Sequence, residues 1–278
     1  MNDGIINWNL DPVIYWITET FPLKYYGLFF ISGILLAHYV EKRIYAKENI
    51  PIENLEKLFI YVVVGIVLGA RLGHCLFYDP SYYFDNPLEI LLPIKKIGGS
   101  YQFIGFQGLA SHGGTIGVLI AIGIYCKKYK TNFLWVLDKI AIVAPIVAAF
   151  IRFGNFMNSE IYGKPTNGNW GVIFQRDDLI PRHPTQLYEA FSYLLIFGIL
   201  MLIYKKKKEK SNGLILGTAL VLIFLARFII EFFKENQVGF EDGMTINMGQ
   251  ILSIPFIIIG LILIIMRKSP VYNTVYKT

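Results

Sequence analysis

Residues 213–232 read GLILGTALVLIFLARFIIEF, an apolar run whose only charges are Arg227 and Glu231 near its end. Twenty residues at about 1.5 Å each span about 30 Å, the thickness of a bilayer's hydrocarbon core. With no water there to satisfy the backbone, such a run is a helix. Six further stretches fit the same template, at roughly 25–40, 58–78, 103–126, 133–151, 187–204 and 249–266. Composition points the same way: of 278 residues 17% are charged and 54% hydrophobic, with mean hydropathy +0.48, where a soluble domain carries about 25% charged residues. These figures exclude a disordered chain and argue against a soluble one. The alternation of a barrel is absent. The fold class expected is an all-α polytopic membrane protein with seven transmembrane helices.

Orientation follows from the basic residues of the connecting segments. One set of loops holds Lys42, Arg43, Lys47, Lys57, Lys127, Lys128, Lys130, the run 205–208 with Lys210, and Arg267, Lys268 and Lys277; the other holds Lys24, Lys95, Lys96, Arg152, Lys164, Arg176, Arg182 and Lys234. The richer set marks the cytoplasmic side, so the N-terminus is expected outside and the C-terminus inside. The lysine run at 205–208 reads as a topology anchor, with no nucleic acid as partner. The first twenty residues lack a basic start and an apolar core, so no cleavable signal peptide is expected there. Cys75 and Cys126 lie in apolar stretches and suggest neither a disulfide framework nor a zinc site. No repeat, low-complexity linker or break in composition divides the chain, so 1–278 is read as one domain. The outer segments 79–102 and 152–186 are long enough to form a small extracytoplasmic cap.

Ionisable groups at membrane depth cost about 2.5–3.5 kcal/mol each on insertion scales, so each demands a partner or a role. Lys139, beside Asp138 near an inner helix end, reads as a snorkelling side chain. With the orientation fixed, Arg71, His112, Arg152, Glu189, Arg227 and Glu231 all fall in the outer half of the bilayer. Guanidiniums gathered at one leaflet make a bidentate receptor for a lipid phosphate. Plainer readings exist for each: Arg227 and Glu231, four apart on a helix, can neutralise each other; Arg71 can sit among headgroups; a lone histidine such as His112 is often a core residue. His74 and His112 are also residue types that ligate haem. The markers of zinc proteases, serine hydrolases and nucleotide-driven pumps are missing. A transporter using the same arginines would show repeat symmetry and polar residues on both sides, and this sequence shows a one-sided cluster.

Five motifs occur in order: His112-Gly-Gly-Thr-Ile-Gly117, Arg152-Phe-Gly-Asn-Phe-Met-Asn-Ser-Glu-Ile-Tyr-Gly163, His183-Pro-Thr-Gln-Leu-Tyr-Glu189, Arg227-Phe-Ile-Ile-Glu231 and Met248-Gly-Gln-Ile-Leu-Ser-Ile-Pro255. Through these, and through Lys24-Tyr-Tyr-Gly-Leu28 and Gly69-Ala-Arg-Leu-Gly73, the chain resembles the bacterial prolipoprotein diacylglyceryl transferases over nearly its whole length. The resemblance implies a multi-pass enzyme of the bacterial cytoplasmic (inner) membrane with its active site facing the outer leaflet. The implied reaction moves the diacylglyceryl group of phosphatidylglycerol to the lipobox cysteine thiol of a preprolipoprotein signal peptide, leaving a thioether and releasing glycerol 1-phosphate. Its partners are thus phosphatidylglycerol, the preprolipoprotein and membrane lipid, and no metal or other cofactor is required.

Carried onto this sequence, the resemblance implies His112, Arg152 and Arg227 as catalytic positions, and Tyr26, Arg152, Asn155, Glu160, Gly163 and Glu231 as substrate-binding ones. The chemistry suits these residue types. A thiol, with a pKa of about 8.5, needs a base such as His112, although another group can fill that role. Arginines neutralise charge that builds on a phosphate as it leaves. Asn155 and Glu160 are expected to orient the arginines or headgroup hydroxyls, and Glu231 to hold Arg227. Two departures from the family pattern stand out: Ile151, where a small glycine is expected, and Lys234-Glu-Asn-Gln, where the family commonly has Arg and a Pro-Asp turn.

Overall fold

The structure, a computed structural model, describes residues 4–18, 21–92, 94–103, 108–206, 212–235 and 244–266. Lys207, Lys208, Lys210, Arg267, Lys268 and Lys277 of the basic-residue argument lie outside the described residues. The chain is mostly helical. Its long helices are α1 (Tyr25–Lys47), α2 (Ile52–Phe77), α5 (Ser111–Tyr129), α6 (Phe133–Met157), α7 (Thr185–Lys206), α8 (Leu214–Ile230, continued by a 3₁₀ turn Glu231–Phe233) and α9 (Met248–Ile265). Five of the described helices are long and apolar enough to cross a membrane: α2, α6, α7, α8 with its 3₁₀ turn, and α9.

Short elements occupy the connections: β1 (Ile5–Trp8), β2 (Val13–Thr18), β3 (Phe21–Lys24), α3 (Pro80–Asp85), α4 (Leu88–Leu91), β4 (Ile94–Ile97), β5 (Ser100–Phe103), β6 (Gly171–Phe174) and β7 (Pro181–Arg182). The all-α expectation therefore holds for the long segments and misses these strands. The third expected span begins later than its apolar pattern suggests. Phe103 closes the antiparallel hairpin β4–β5, whose turn uses Gly98 and Gly99 at φ 59° and 89°, and the helix starts only at Ser111.

Two compact units divide the described residues, one formed by 4–15, 23–41 and 137–266, the other by 16–22 and 42–136. In the first, α8 packs along α9 at Gly217 and Gly260, where an added Cβ on Gly217 would lie 2.7 Å from the Gly260 carbonyl. Phe224 and Phe256 stack at 4.3 Å between the same helices. The N-terminus of α8 is capped from α6: Asp138 accepts from the Gly213 and Leu216 amides at 2.7 Å each, satisfying donors that no helical carbonyl can reach. Lys139 does not snorkel: it is 3% exposed, 4.8 Å from the Tyr204 ring, with Glu41 as its charged neighbour. Around the helix ends, β1 pairs in parallel with β6, and β6 antiparallel with β7. Trp8, Phe156, Tyr162, Val172, Phe174 and Leu187 form a small apolar core under that sheet.

In the second unit α2 and α5 meet backbone to backbone. Gly65, Gly69 and Gly73 on α2 face Gly113 and Gly117 on α5, so closely that an added Cβ on Gly69 would lie 2.7 Å from the Gly117 Cα. This is the small-residue packing by which helices associate where lipid removes the hydrophobic drive between them. Arg71 is 6% exposed and ties α2 to the following segment: its guanidinium donates to the carbonyls of Ile90 (3.1 Å), Gly108 (3.4 Å) and Glu89, and lies 4.9 Å from the Tyr83 ring. A Gly117→Leu variant is expected to unfold at lower temperature in detergent, with a loss of about 1–3 kcal/mol from overpacking. Gly123→Ala, where an added Cβ meets nothing within 4 Å, should unfold no earlier than the parent; tryptophan fluorescence on heating checks both.

Candidate functional site

Arg152 sits in the last turns of α6, and the way that helix ends builds its surroundings. The amides of Asn158, Ser159 and Glu160 turn back onto the carbonyls of Gly154 (3.1 Å), Phe156 (3.0 Å) and Asn155 (3.1 Å). To make that reversal Ser159 and Ile161 adopt left-handed backbone, with φ 56° and 59°. An L-residue held there costs about 1–2 kcal/mol, and a β-branched residue such as Ile161 adopts it rarely. The result throws Glu160 back over the helix end. Its Oε1 accepts from Asn155 Nδ2 at 2.7 Å and Asn158 Nδ2 at 3.2 Å, and Asn155 Oδ1 accepts from Arg152 Nη1 at 3.2 Å. Tyr26, from the start of α1, rests on the backbone of Gly154 with Glu160 and Arg152 as its charged neighbours.

Arg152's other edge meets Glu189. This carboxylate, on the second turn of α7, is fully buried; its Oε2 lies 2.8 Å from Arg152 Nε and its Oε1 accepts from Lys234 Nζ at 3.0 Å. Lys234, itself 3% exposed, also reaches Glu231 Oε2 at 3.5 Å. Cations and carboxylates thus alternate through the first unit in the order Arg152, Glu189, Lys234, Glu231. Each buried charge has an opposite neighbour, as burial in low dielectric requires.

Two glycines let these segments meet. A Cβ on Gly163 would stand 2.5 Å from the Phe233 carbonyl and 2.6 Å from His183 Cβ; Gly163 bridges Lys234 and donates to the His183 carbonyl at 2.8 Å. Its part is to bring chains together rather than to offer a functional group. A Cβ on Gly249 would lie 2.5 Å from Glu231 Cδ, so Glu231 rests against the N-terminus of α9, where the helix dipole favours an anion. There Asn247 caps the helix by accepting from the Gln250 amide at 3.0 Å and donates from Nδ2 to Glu231 Oε1 at 3.4 Å.

The expected Arg227–Glu231 pair does not form. The Glu231 amide still donates to the Arg227 carbonyl as in a helix, but its carboxylate turns to Lys234 and Asn247. Arg227 keeps a buried Nε with no hydrogen-bond partner and, among the described residues, no ion pair. Tyr193 on α7 has both Arg152 and Arg227 as charged neighbours. Two guanidiniums therefore neighbour one tyrosine, one held by Asn155 and Glu189, the other without an ion pair among the described residues.

The structure brings together Tyr26, Arg152, Asn155, Glu160, Gly163, Arg227 and Glu231 within the first unit. His112 belongs to the second, exposed on the first turn of α5. Arg71, grouped with these charges by depth, serves instead as the tether of the 79–103 segment. His74 stacks on Tyr78 at 5.3 Å and meets Tyr83 edge-on at 6.0 Å. Among the described residues no cluster of three or more His, Cys, Asp or Glu side chains has the form of a metal site. Glu189 belongs to the outer-half charges found by depth but not to the positions implied by the resemblance, and Lys234 stands in the sequence only as a departure from the family pattern.

The strand-bearing segment is held by its own ionic lock. Arg182 bonds Asp178 at 2.5 Å and Glu235 at 2.6 Å and lies 4.8 Å from the Tyr162 ring; the Arg182 hydrogen bond holds the Asp178 carboxyl below its usual value. Beside it His183 shares a hydrogen bond of 3.2 Å between Nδ1 and the Tyr188 hydroxyl and packs edge-on against Trp170 at 4.9 Å. Burial lowers its pKa.

A family model described as prolipoprotein diacylglyceryl transferase matches residues 12–266. The chain is similar to proteins named phosphatidylglycerol–prolipoprotein diacylglyceryl transferase from Bacteroides fragilis (48% identical, covering 92% of this chain and 93% of that one), Tolumonas auensis (45%; 94% and 97%) and Porphyromonas gingivalis (43%; 96% and 97%).

Because the folded state resists protonating His183, its contribution to stability is complete above the ordinary histidine value of 6.5 and declines as pH falls below it, where only the unfolded chain takes up the proton. Asp178, lowered by Arg182, adds its own loss only near and below its ordinary value of 3.8. Between pH 8 and pH 5 the unfolding temperature of the parent should drop relative to that of His183→Gln.

Proposed function

The chain belongs to the prolipoprotein diacylglyceryl transferase family, and from that premise we propose that it transfers the diacylglyceryl group of phosphatidylglycerol to the lipobox cysteine thiol of a preprolipoprotein, the first step of lipoprotein maturation. The thiolate sulfur attacks the glyceryl carbon that carries the phosphate. A carbon–sulfur bond forms, the carbon–oxygen bond to phosphate breaks, and glycerol 1-phosphate leaves with the bonding electrons while a base keeps the thiol proton. In this reading His112 is that base. Arg152 and Arg227 neutralise the phosphate oxygens, an interaction that strengthens as charge collects on the leaving group.

The observation that carries the reading is Arg227: a buried guanidinium nitrogen with no partner, sharing Tyr193 as a neighbour with an oriented Arg152. A guanidinium without an ion pair among the described residues is costly to keep beside apolar helices, and an anionic headgroup is the ligand that would satisfy it bidentately. Asn155 and Glu160 orient Arg152, Tyr26 closes its α1 side, and Gly163 supports the arrangement from behind. Glu231 acts through Lys234 rather than on Arg227. We place the protein in the bacterial inner membrane as a single domain of seven spans. Its N-terminus is outside, its C-terminus is cytoplasmic, and its outer segments 79–102 and 152–186 form a cap on the side of the outer leaflet. The one-sided clustering of intramembrane charge and the basic residues of the opposite loops support that orientation.

The test supplies purified protein with phosphatidylglycerol liposomes and a lipobox peptide. It follows the diacylglyceryl mass gain on the peptide cysteine together with glycerol phosphate release. Both products should appear; a folded protein that yields neither overturns the reading. Arg227→Ala is expected to cut kcat/KM by about 100-fold or more, as loss of a transition-state donor does, without lowering the unfolding temperature, because no partner is orphaned. Arg152→Ala should lose activity and also unfold earlier, since Glu189 then stays buried with Lys234 alone.

A further inference from the structure

Glu189 and Lys234 are the most deeply buried charges around Arg152, and neither has a part in the transfer as described. Their environment is built rather than incidental. Thr185 and Gln186, on the turn that delivers Glu189, are fully buried too; Thr185 Oγ1 donates to the Ile161 carbonyl at 3.2 Å and Gln186 Nε2 to the Glu160 carbonyl at 2.7 Å. The backbone of Lys234 is clamped against Gly163, with the Lys164 amide donating to the Phe233 carbonyl at 2.8 Å. One carboxylate therefore faces two cations, Nε of Arg152 at 2.8 Å and Nζ of Lys234 at 3.0 Å.

We propose that Glu189 and Lys234 are positioning residues: Glu189 fixes the edge that Arg152 presents to an anionic lipid, and Lys234 neutralises the second oxygen of Glu189 so that this grip does not cancel the charge of Arg152. A carboxylate paired with Arg152 alone would form a neutral couple with little attraction left for a phosphodiester. Shared with Lys234, the triad keeps one net positive charge, and the cations Arg152, Lys234 and Arg227 then balance the carboxylates Glu160, Glu189 and Glu231, so loss of Lys234 would leave the cluster net negative. In low dielectric that unit of charge matters more than any single contact. The lysine at 234 thereby finds a role that needs a point charge and not the planar fork of an arginine.

This inference rests on the transferase reading for its kinetic arm, while a binding arm stands apart from it. Lys234→Met, Lys234→Arg, Glu189→Gln and the double variant Glu189→Gln/Lys234→Met are purified. Apparent Kd for phosphatidylglycerol is read from the rise in unfolding temperature as the lipid is titrated without peptide, and kcat and KM from the transfer assay. Lys234→Met should weaken lipid binding and kcat/KM by about tenfold, within the range for residues coupled through one ion-pair network, whereas Lys234→Arg keeps most of both. Glu189→Gln should lower kcat while leaving lipid binding no weaker. The double variant restores the net charge and leaves an amide oxygen for Arg152, so it should bind lipid better than Lys234→Met alone. If Lys234→Met does not fold, the charge-balanced double variant carries the test against Glu189→Gln and the parent.

Parent-like binding and turnover in Lys234→Met, or losses in the double variant that simply add, would overturn the inference and leave a structural role only. If the parent transfers nothing yet the binding pattern holds, the transferase reading fails and the charge balance survives. Normal parental transfer with no such pattern sinks the charge balance alone.

Discussion

A carboxylate with no access to water decides much of the first unit. Glu189 is completely buried, and a charge so placed is tolerated only with opposite charge beside it; Lys234 donates a hydrogen bond to its Oε1, and Arg152 Nε stands 2.8 Å from Oε2 as an ion pair without hydrogen-bond alignment. These contacts draw α6 to it through Arg152 and the turn after α8 through Lys234, and Lys234 in turn fixes Glu231 against the start of α9. Four segments distant in sequence are thereby registered by one buried group. Apolar packing alone sets no such register, because helices in lipid gain little from hiding one apolar face rather than another.

The exit of α6 shows strain placed where it has a use. Left-handed backbone at Ser159 and Ile161 is unfavourable for both residue types, yet it returns Glu160 to Asn155 and so completes the hydrogen-bonded chain that holds the Nη1 side of Arg152. The arginine is gripped on two edges by groups that owe their positions to different constraints, a strained turn on one side and a buried ion pair on the other. Arg227 is held by neither, and among the described residues it has no ion pair.

The second unit is governed by close approach. The glycines of α2 and α5 permit backbone contact, and Arg71 spends its donors on carbonyls of the segment that follows α2. A cation that by depth alone looks like a headgroup receptor is in fact a structural tether, because its planar fork matches several carbonyls at once. His112, at the start of α5, is accordingly carried on a rigid helix pair.

Helix positions were legible in the sequence because they depend on local hydropathy and length: the runs at 133–151, 187–204, 213–232 and 249–266 all reappear as long helices with ends moved by a few residues. Arg152 and Arg227 stood out in the sequence by the cost of a charge at membrane depth, whereas Tyr26, Asn155 and Glu160 entered as site residues only through the family resemblance. Pairing was not legible. Whether Glu231 answers Arg227 or Lys234 depends on where the turn after α8 and the start of α9 bring Lys234 and Asn247, and whether Glu189 belongs to the site depends on how α7 meets α6. The strand β1 finds its partner some 165 residues away, at Gly171–Phe174, and no local pattern announces it. The sequence by itself determined which segments are helices and which groups are too costly to bury alone; only the tertiary structure decided which of those groups satisfy one another, because that choice is made by contacts between segments far apart in the chain.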